Sequence, residues 1–310
     1  MIDFTGQVVI VTGAGRGLGR LYALDLARRG AAVVVNDVGG STHGVGADPS
    51  VADAVVAEIT RANGIAVASP ESVDSPEGGA AIVRTAVERF GRVDAVVSNA
   101  GIFHTVPFAD LSPAEWQRML RVHLDGAFHV SQPAYRVMQA QGYGRFVFIA
   151  SSAGLFGQAE TAHYAAAKAG LVGLTNVVAI EGALHGILAN AVLPFGFSRM
   201  VTATVGDREQ LREESAFLKA IDPELVVPLV VFLASRACDF SHRNYSACAG
   251  RFARVFVGLG EGWLAESEAA LTAEDVAAHL ADVSATDPFT VPASIFDEVA
   301  DICARLGITR

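Results

Sequence analysis

The chain has 310 residues, of which 51% are hydrophobic, and its formal net charge is −10. This length and apolar content allow a large buried core, which excludes a disordered or fibrous protein. The negative charge disfavours nucleic acid and anionic membrane surfaces as partners. Cys238, Cys248 and Cys303 form no CxxC pair, which predicts reduced thiols and no metal site.

Neither the first residues nor any apolar segment resembles a targeting signal or a membrane span. The opening MIDFTGQ lacks the basic region of a signal peptide. The most apolar window, residues 225–235, is too short to cross a bilayer. We therefore expect a cytoplasmic protein.

Seven short apolar segments alternate with longer helical patterns along most of the chain. They are residues 7–12, 31–36, 65–69, 93–98, 145–151, 188–193 and 253–258. Most are apolar throughout, which is typical of parallel strands that are covered on both faces. Repeated strand–helix–strand units predict an α/β domain over residues 1–262, with a doubly wound, seven-stranded parallel sheet.

The remaining residues, 263–310, predict a helical extension of the same domain. Thr272 with Asp275, and Ser294 with Asp297, form patterns typical of helix N-caps with an acidic first turn. Two helices are expected here. The sequence leaves open whether they pack on the sheet, cover a pocket or contact another subunit.

The segment TGAGRGLG, residues 12–19, lies between the first predicted strand and a helical pattern. Glycines permit a tight turn there and let backbone N–H groups approach a pyrophosphate at the helix N-terminus. This position between a strand and a helix predicts a dinucleotide site. Its candidate residues are Gly13, Gly15, Arg16, Gly17, Leu18 and Gly19.

Asp37, at the end of the second predicted strand, bears on the choice of nucleotide. Its carboxylate can accept hydrogen bonds from ribose hydroxyls and would repel a 2′-phosphate. Arg16 in the glycine loop could instead bind that phosphate. Because a carboxylate beside a dianion costs more than one flexible arginine restores, we predict NAD as the cofactor.

Ser151, Tyr164 and Lys168 form the second candidate group. Tyr164 and Lys168 are four residues apart, so both lie on one face of a helix, and Ser151 ends a predicted strand. Taken alone, a Tyr–Lys pair at this spacing is common on any helix. The surrounding motifs therefore decide between a catalytic group and ordinary polar side chains.

Three motifs occur here in the order found in the short-chain dehydrogenase/reductase family. They are TGAGRGLG, NAG at Asn99–Gly101 and YAAAK at Tyr164–Lys168. The chain resembles that family over about residues 5–262, which implies a Rossmann-type fold and oxidation of an alcohol to a ketone. The resemblance implies that Tyr164 is the catalytic base, Lys168 its partner and Ser151 the group that binds the reacting oxygen. A nearby ammonium and the positive nicotinamide ring would then favour the phenolate.

The same resemblance implies further cofactor contacts besides those of Tyr164 and Lys168. They are Glu71, Ser72, Val73, Asn99, Ala100, Gly101, Pro194 and Gly196. Glu71 stands where the family usually has a shorter Asp, and Asn99 could equally brace the sheet. His123 replaces an Asn that holds a proton-relay water in many members, which leaves the relay undefined.

Several segments also resemble the dehydrogenase part of type 2 peroxisomal multifunctional enzymes, among them residues 33–40, 121–128, 193–200 and 223–230. That likeness implies NAD-dependent oxidation of a (3R)-3-hydroxyacyl-CoA by a homodimer or homotetramer. Its basic candidates for the CoA phosphates are Arg199, Arg208, Arg212 and Lys219. The alternatives are a hydroxysteroid dehydrogenase, a 3-oxoacyl reductase and a non-catalytic dinucleotide-binding regulator.

Overall fold

The computed structural model of the protein describes residues 2–196, 215–265 and 271–308. The chain divides into two compact units, Met1–Arg254 and Val255–Arg310. The predicted helical extension, residues 263–310, lies within the second unit.

The first unit is built on an eight-stranded sheet with the strand order β3-β2-β1-β4-β5-β6-β7-β8. All neighbouring pairs from β3 to β7 are parallel. The strands are β1 (Val8–Thr12), β2 (Ala32–Asn36), β3 (Ile65–Ser69), β4 (Ala95–Ser98), β5 (Gly144–Ile149), β6 (Ile187–Phe195), β7 (Arg243–Cys248) and β8 (Arg251–Val255). The strand order reverses between β1 and β4, which is where α/β sheets bind ligands.

Helices flank this sheet, and the buried cluster joins strand side chains to α1 and α9. Val9, Val33 and Val147 of the strands belong to this cluster, with Leu26 of α1 and Val230 of α9. The helices are α1 (Gly17–Arg28), α2 (Ser50–Arg61), α3 (Pro76–Phe90), α4 (Pro113–Leu120), α5 (Gly126–Gln141), α6 (Ala153–Phe156), α7 (Ala162–Gly182), α8 (Ala216–Ala220) and α9 (Val227–Ala234). The predicted Rossmann-type, doubly wound fold is confirmed.

The sheet has one strand more than the seven predicted. The additional strand is β7, whose sequence RNYSAC lacks the apolar run that marks the other strands. The seventh predicted segment, residues 253–258, overlaps β8, which begins two residues earlier. Ala249 and Gly250 join β7 to β8, and their positive φ angles of 50° and 78° suit a tight hairpin turn.

The segment Ala162–His185 is long and apolar enough to cross a membrane by length and composition alone. It comprises α7 and the short 3₁₀ turn that follows. In the structure α7 packs against β6, α4 and α6, as the core helix of a sheet protein does.

The second unit contains three short helices and a two-stranded antiparallel sheet of β9 and β10. Both predicted N-caps are present, since Thr272 with Asp275 and Ser294 with Asp297 form capping boxes. The first predicted helix is divided at His279. The elements are β9 (Leu259–Gly260), α10 (Ala273–Ala278), α11 (Leu280–Val283), β10 (Phe289–Thr290) and α12 (Ile295–Arg305).

Candidate active site

A cavity of about 570 Å³ opens at the carboxyl ends of the central parallel strands. Apart from Gly15, every residue predicted for the cofactor site and the Ser151–Tyr164–Lys168 group lines it. These lining residues are Gly13, Arg16, Gly17, Leu18, Gly19, Asp37, Glu71, Ser72, Val73, Asn99, Ala100, Gly101, Ser151, Tyr164, Lys168, Pro194 and Gly196. The sheet therefore brings the two candidate groups together in one site.

The glycine loop is packed so closely at Gly13 and Gly19 that neither position has room for a side chain. A Cβ on Gly13 would lie 2.8 Å from Ala100 Cα, and one on Gly19 would lie 2.1 Å from Gly13 O. Helix α1 begins at Gly17, and no side chain of the described residues caps its N-terminus. Unsatisfied N–H groups at a helix start are suited to a phosphate, so the loop fits a dinucleotide.

Asp37 is held in place at the end of β2 by two backbone N–H groups. Gly15 N donates to its Oδ2 over 2.8 Å, and Gly39 N donates to its Oδ1 over 2.7 Å. Gly15 thus lies behind the cavity wall and positions the carboxylate. The Arg16 side chain donates to Gly40 O over 3.1 Å.

Asn99 braces the end of β1. Its Nδ2 donates to Thr12 O at 3.0 Å and to Gly13 O at 3.1 Å, while its backbone N donates to Thr12 Oγ1 at 3.0 Å. The bracing role considered from the sequence is therefore present. Because Asn99 also lines the cavity, it fixes the glycine loop from the cofactor side.

The opposite wall of the cavity is formed by residues at the carboxyl end of β3. Asn36 holds this segment by two hydrogen bonds. Its Nδ2 donates to Ser69 O over 2.9 Å and to Glu71 O over 2.8 Å. The side chain of Glu71 is exposed, whereas Val73 is buried. Glu71 is thus fixed through its backbone, and its side chain makes no described hydrogen bond.

Ser151, Tyr164 and Lys168 meet at the end of β5 and the start of α7. Lys168 Nζ donates to Ile149 O over 2.5 Å and lies 5.7 Å from the centre of the Tyr164 ring. The Ser151 side chain hydrogen-bonds Tyr164. Phe103 and His123 contact the same ring edge-on, with centroid distances of 5.1 and 5.2 Å.

Comparison with known proteins agrees with this geometry. The family model for short chain dehydrogenase matches residues 7–210. A short-chain type dehydrogenase/reductase of Mycobacterium tuberculosis is 42% identical over 278 residues, covering 90% of this chain and 94% of the relative. The chain belongs to the short-chain dehydrogenase family.

Two further relatives are multifunctional enzymes. Peroxisomal multifunctional enzyme type 2 of Mus musculus is 45% identical over 249 residues, which cover 80% of this dehydrogenase and 32% of the mouse enzyme. The solved structure of the full-length Drosophila melanogaster enzyme of that name has a TM-score of 0.81 and 31% identity. It covers 99% of this chain, which spans 50% of the fly chain.

Family membership makes this chain an oxidoreductase that binds a nicotinamide dinucleotide. The glycine loop, Asp37 and Asn99 would hold the nucleotide, and the Tyr164 group would face the substrate. Among the residues that the structure describes, no cluster of His, Cys, Asp and Glu is arranged to hold a metal ion.

Burial dominates the protonation of Tyr164 and Lys168 in the dehydrogenase. It raises the pKa of Tyr164, while the hydrogen bond from Ser151 lowers it. Burial lowers the pKa of Lys168 to about 7. The phenolate that the ammonium and the positive nicotinamide ring would favour therefore stays a prediction.

His123, which stands in place of the family's usual Asn, is buried beside Tyr164. Its Nε2 lies 3.1 Å from Ile102 N and 2.7 Å from Ile102 O. Burial holds its pKa well below the usual range, so the ring is neutral. A Cβ on Gly101 would lie 2.4 Å from His123 Cε1, so the glycine of the NAG motif makes room for this imidazole.

Further residues line the cavity without having been predicted, among them Ser41, Thr42, Phe103 and Gln158. These four come from three separate loops, of which two are joined where Phe103 N donates to Thr42 O over 2.9 Å. Only Phe103 has a sequence signal, since it follows the NAG motif closely.

Most of the predicted CoA-binding residues cannot be placed. Arg199, Arg208 and Arg212 lie outside the described residues, whereas Lys219 is exposed on α8. Gly196 is the last residue along the chain that lines the cavity, among those that the structure describes. Their proposed role therefore stays a prediction.

Proposed function

We propose that this dehydrogenase oxidises the hydroxyl of a 3-hydroxyacyl-CoA to a ketone, with NAD as its cofactor. The observation that carries the choice of NAD is the Asp37 carboxylate, which lines the cavity and is fixed by Gly15 and Gly39. A carboxylate fixed in this way accepts hydrogen bonds from ribose hydroxyls and repels a 2′-phosphate. NAD, when bound, supplies the hydride acceptor and a positive ring beside Tyr164.

The residues of this chain bind the reacting oxygen and move its proton. The Ser151 hydroxyl hydrogen-bonds the substrate oxygen. Tyr164, once its Oη has lost its own proton, accepts the substrate hydroxyl proton as a general base. Lys168, whose pKa lies at about 7, takes up or releases a proton near neutrality. Its short bond to Ile149 O keeps the ammonium on the helix face that it shares with Tyr164.

Support for the thioester comes from the likeness to the multifunctional enzymes. The mouse relative matches 80% of this chain, and the aromatic side chains of Phe103 and Phe195 line the cavity. Such a wall suits an apolar acyl group. A hydroxysteroid is the alternative that this wall would also accept, whereas Asp37 opposes an NADPH-dependent 3-oxoacyl reductase.

The test compares kcat/KM for a 3-hydroxyacyl-CoA, for the same acid without CoA and for a hydroxysteroid. Each is measured with NAD and with NADP by following the reduced cofactor, and Tyr164→Phe serves as the inactive control. We expect the thioester with NAD to be fastest, because contacts with the carrier position the reacting hydroxyl. A steroid or free acid that reacts as fast removes the CoA assignment, and a preference for NADP removes the NAD assignment.

We further propose a cytoplasmic homodimer or homotetramer. Val177 and Ile180 of α7, together with Leu184, expose apolar side chains on one segment, as subunit interfaces do. Light scattering coupled to size-exclusion chromatography measures the assembly, and a monomeric mass at micromolar concentration would contradict it.

A further inference from the structure

Two histidines from distant parts of the chain meet beside the active-site cavity. His104 Nε2 lies 3.1 Å from His163 Nε2, and their ring centres are 4.6 Å apart. His163 is fully buried in the first turn of α7, directly before Tyr164. Neither histidine lines the cavity, but their chain neighbours Phe103 and Tyr164 do.

A backbone contact lies next to this histidine pair. Val106 N donates to Glu160 O over 2.8 Å. Glu160 has a φ of +62°, a left-handed conformation that a non-glycine residue adopts only when its surroundings fix it. We call these two contacts, His104–His163 and Val106–Glu160, the loop clasp.

The loop clasp joins two segments that flank the reacting groups. One is the loop after β4, which carries Phe103, and the other leads into α7 and Tyr164. The Phe103 ring packs edge-on against the Tyr164 ring at 5.1 Å. A shift of either segment would therefore change the wall of the cavity and the direction of the Tyr164 hydroxyl together.

We infer that His104 and His163 are positioning residues for the dehydrogenase reaction, and that their hydrogen bond holds Tyr164 and Phe103 in the reactive arrangement. The inference rests on the proposed function only for its kinetic readout. Any secondary alcohol that the enzyme oxidises can be used as the substrate in the kinetic test. An NMR measurement of the two histidines needs no substrate.

The hydrogen bond requires that the two facing Nε2 atoms share one proton. The Nδ1 atoms of both rings are buried and have no hydrogen-bond partner among the described residues. Burial accordingly lowers the pKa of both histidines, and His104 lowers that of His163 further. The pair is neutral at pH 7, with one ring donating and the other accepting.

Charged groups around the pair determine what protonation does. Glu115 Oε1 of α4 lies 4.0 Å from His104 Nε2, and Glu115 opposes the fall in pKa of both histidines. Arg118 and His43 lower the pKa of His104. When both rings are protonated, neither Nε2 can accept, the two charges repel and Glu115 attracts His104. The loop clasp therefore opens as the pH falls below these lowered pKa values.

The kinetic test uses two variants of one position. His104→Phe keeps a ring but removes the hydrogen bond, and His104→Gln keeps a donor and acceptor that does not titrate. His185→Ala is the matched control, since it removes a half-buried imidazole outside the cavity whose described contacts are with Gln139 and Tyr135. NAD affinity and thermal unfolding are measured for each variant to verify the fold.

We expect His104→Phe to lower kcat/KM about tenfold, as loss of one neutral hydrogen bond would. NAD affinity should change less than about twofold, and combining it with His163→Phe should lower the rate no further. We expect wild-type activity to fall at acid pH, and His104→Gln should recover most of the rate and lose that fall. Equal losses in the Phe and Gln variants, or additive losses in the double variant, would overturn the inference.

A spectroscopic measurement separates this inference from the choice of substrate. In protein labelled with ¹⁵N-histidine, we expect both imidazoles to be neutral at pH 7 and to share one slowly exchanging Nε2–H proton. The NMR signal of that slowly exchanging proton should be absent in His104→Phe. In His104→Gln it should remain, on His163. A charged or freely exchanging pair would overturn the inference even if the enzyme oxidises hydroxyacyl-CoA. If His104→Phe does not fold, the pH–activity profile of His104→Gln tests the inference. Activity of His104→Gln that falls at acid pH as in the wild type would then overturn it.

Discussion

At the residue scale, Lys168 illustrates how the site holds a charge that is unfavourable in the free protein. The side chain is buried, and its one described hydrogen bond goes to Ile149 O. Its pKa falls from 10.5 to about 7 because burial penalises the ammonium. Catalytic positions commonly reduce stability in this way.

Replacing Lys168 by Met should therefore change stability in a pH-dependent way. Between pH 7 and 10.5 the unfolded chain binds the lysine proton and the folded chain does not, so wild-type stability rises with pH across this range. The Tm of Lys168→Met minus the Tm of wild type should thus be larger at pH 6 than at pH 10. Thermal unfolding without cofactor measures this difference.

Lys219, exposed on α8, supplies the control. Its replacement by Met should give the same Tm difference at both pH values. A Lys168→Met difference that is likewise constant with pH would show that the ammonium is not destabilised in the folded state.

Tyr164→Phe should reduce turnover by about 10²–10⁴-fold, the usual contribution of one general base. The ring that packs against Phe103 and His123 is retained, so NAD affinity should stay nearly unchanged. Steady-state kinetics and a cofactor titration measure the two effects. A variant with a rate near that of wild type would remove Tyr164 from the mechanism.

Asp37→Ala should weaken NAD binding about tenfold or more and relieve the exclusion of NADP, because the carboxylate accepts from ribose and repels phosphate. Asp37→Asn is the matched control. It keeps an oxygen for Gly15 N or Gly39 N but removes the charge. Kinetics with both cofactors should show relief of NADP exclusion in both variants, and a wild type that prefers NADP would contradict the assignment.

Motifs that are contiguous in the chain made most of this site predictable. The glycine loop and the Tyr164–Lys168 helix each carry their chemistry within a few residues. His104 and His163 are 59 residues apart and meet only through the fold. The resting pKa of Tyr164 could not be predicted either, since it depends on burial rather than on sequence spacing.

At the scale of elements, the central parallel strands were predictable because both faces are covered and the sequence is apolar throughout. β7 was not, since most of its residues are only partly buried and include Arg243 and Ser246. The five-residue π-helix Arg121–Asp125, which carries His123, was not predictable either. The spacing of its apolar residues does not distinguish it from an α-helix.

The β1–α1 turn should tolerate no side chain at Gly19. A Cβ there would lie 2.1 Å from Gly13 O and 2.5 Å from Asn99 Nδ2. Gly19→Ala should therefore lower the Tm and abolish cofactor binding. Gly173→Ala is the matched control, because nothing lies within 4 Å of its Cβ in α7, and it should stabilise the fold by about 0.5–1 kcal/mol. Loss of stability in Gly173→Ala, or unchanged NAD binding in Gly19→Ala, would contradict this account.

At the scale of the whole molecule, the cavity is assembled from many separate segments of the first unit. Its described lining runs from Gly13 to Gly196 and takes residues from the ends of β1, β2, β4, β5 and β6. A ligand in this position contacts both halves of the sheet across the reversal of strand order. Binding should therefore stabilise the sheet as one cooperative unit.

Cofactor binding should raise the unfolding temperature accordingly. A ligand at 100 times its Kd stabilises the native state by about 2.7 kcal/mol, which corresponds to a rise of about 5–10 °C in Tm for a unit of this size. NAD should produce this rise and NADP, at the same concentration, a smaller one, because the Asp37 carboxylate lines the cavity and would repel a 2′-phosphate. Differential scanning calorimetry of the full chain measures both, with Gly19→Ala as the variant that should show neither shift. Equal shifts for the two nucleotides would mean that Arg16, which lines the same cavity, offsets the carboxylate. A shift that persists in Gly19→Ala would mean that the nucleotide is not held at the start of α1.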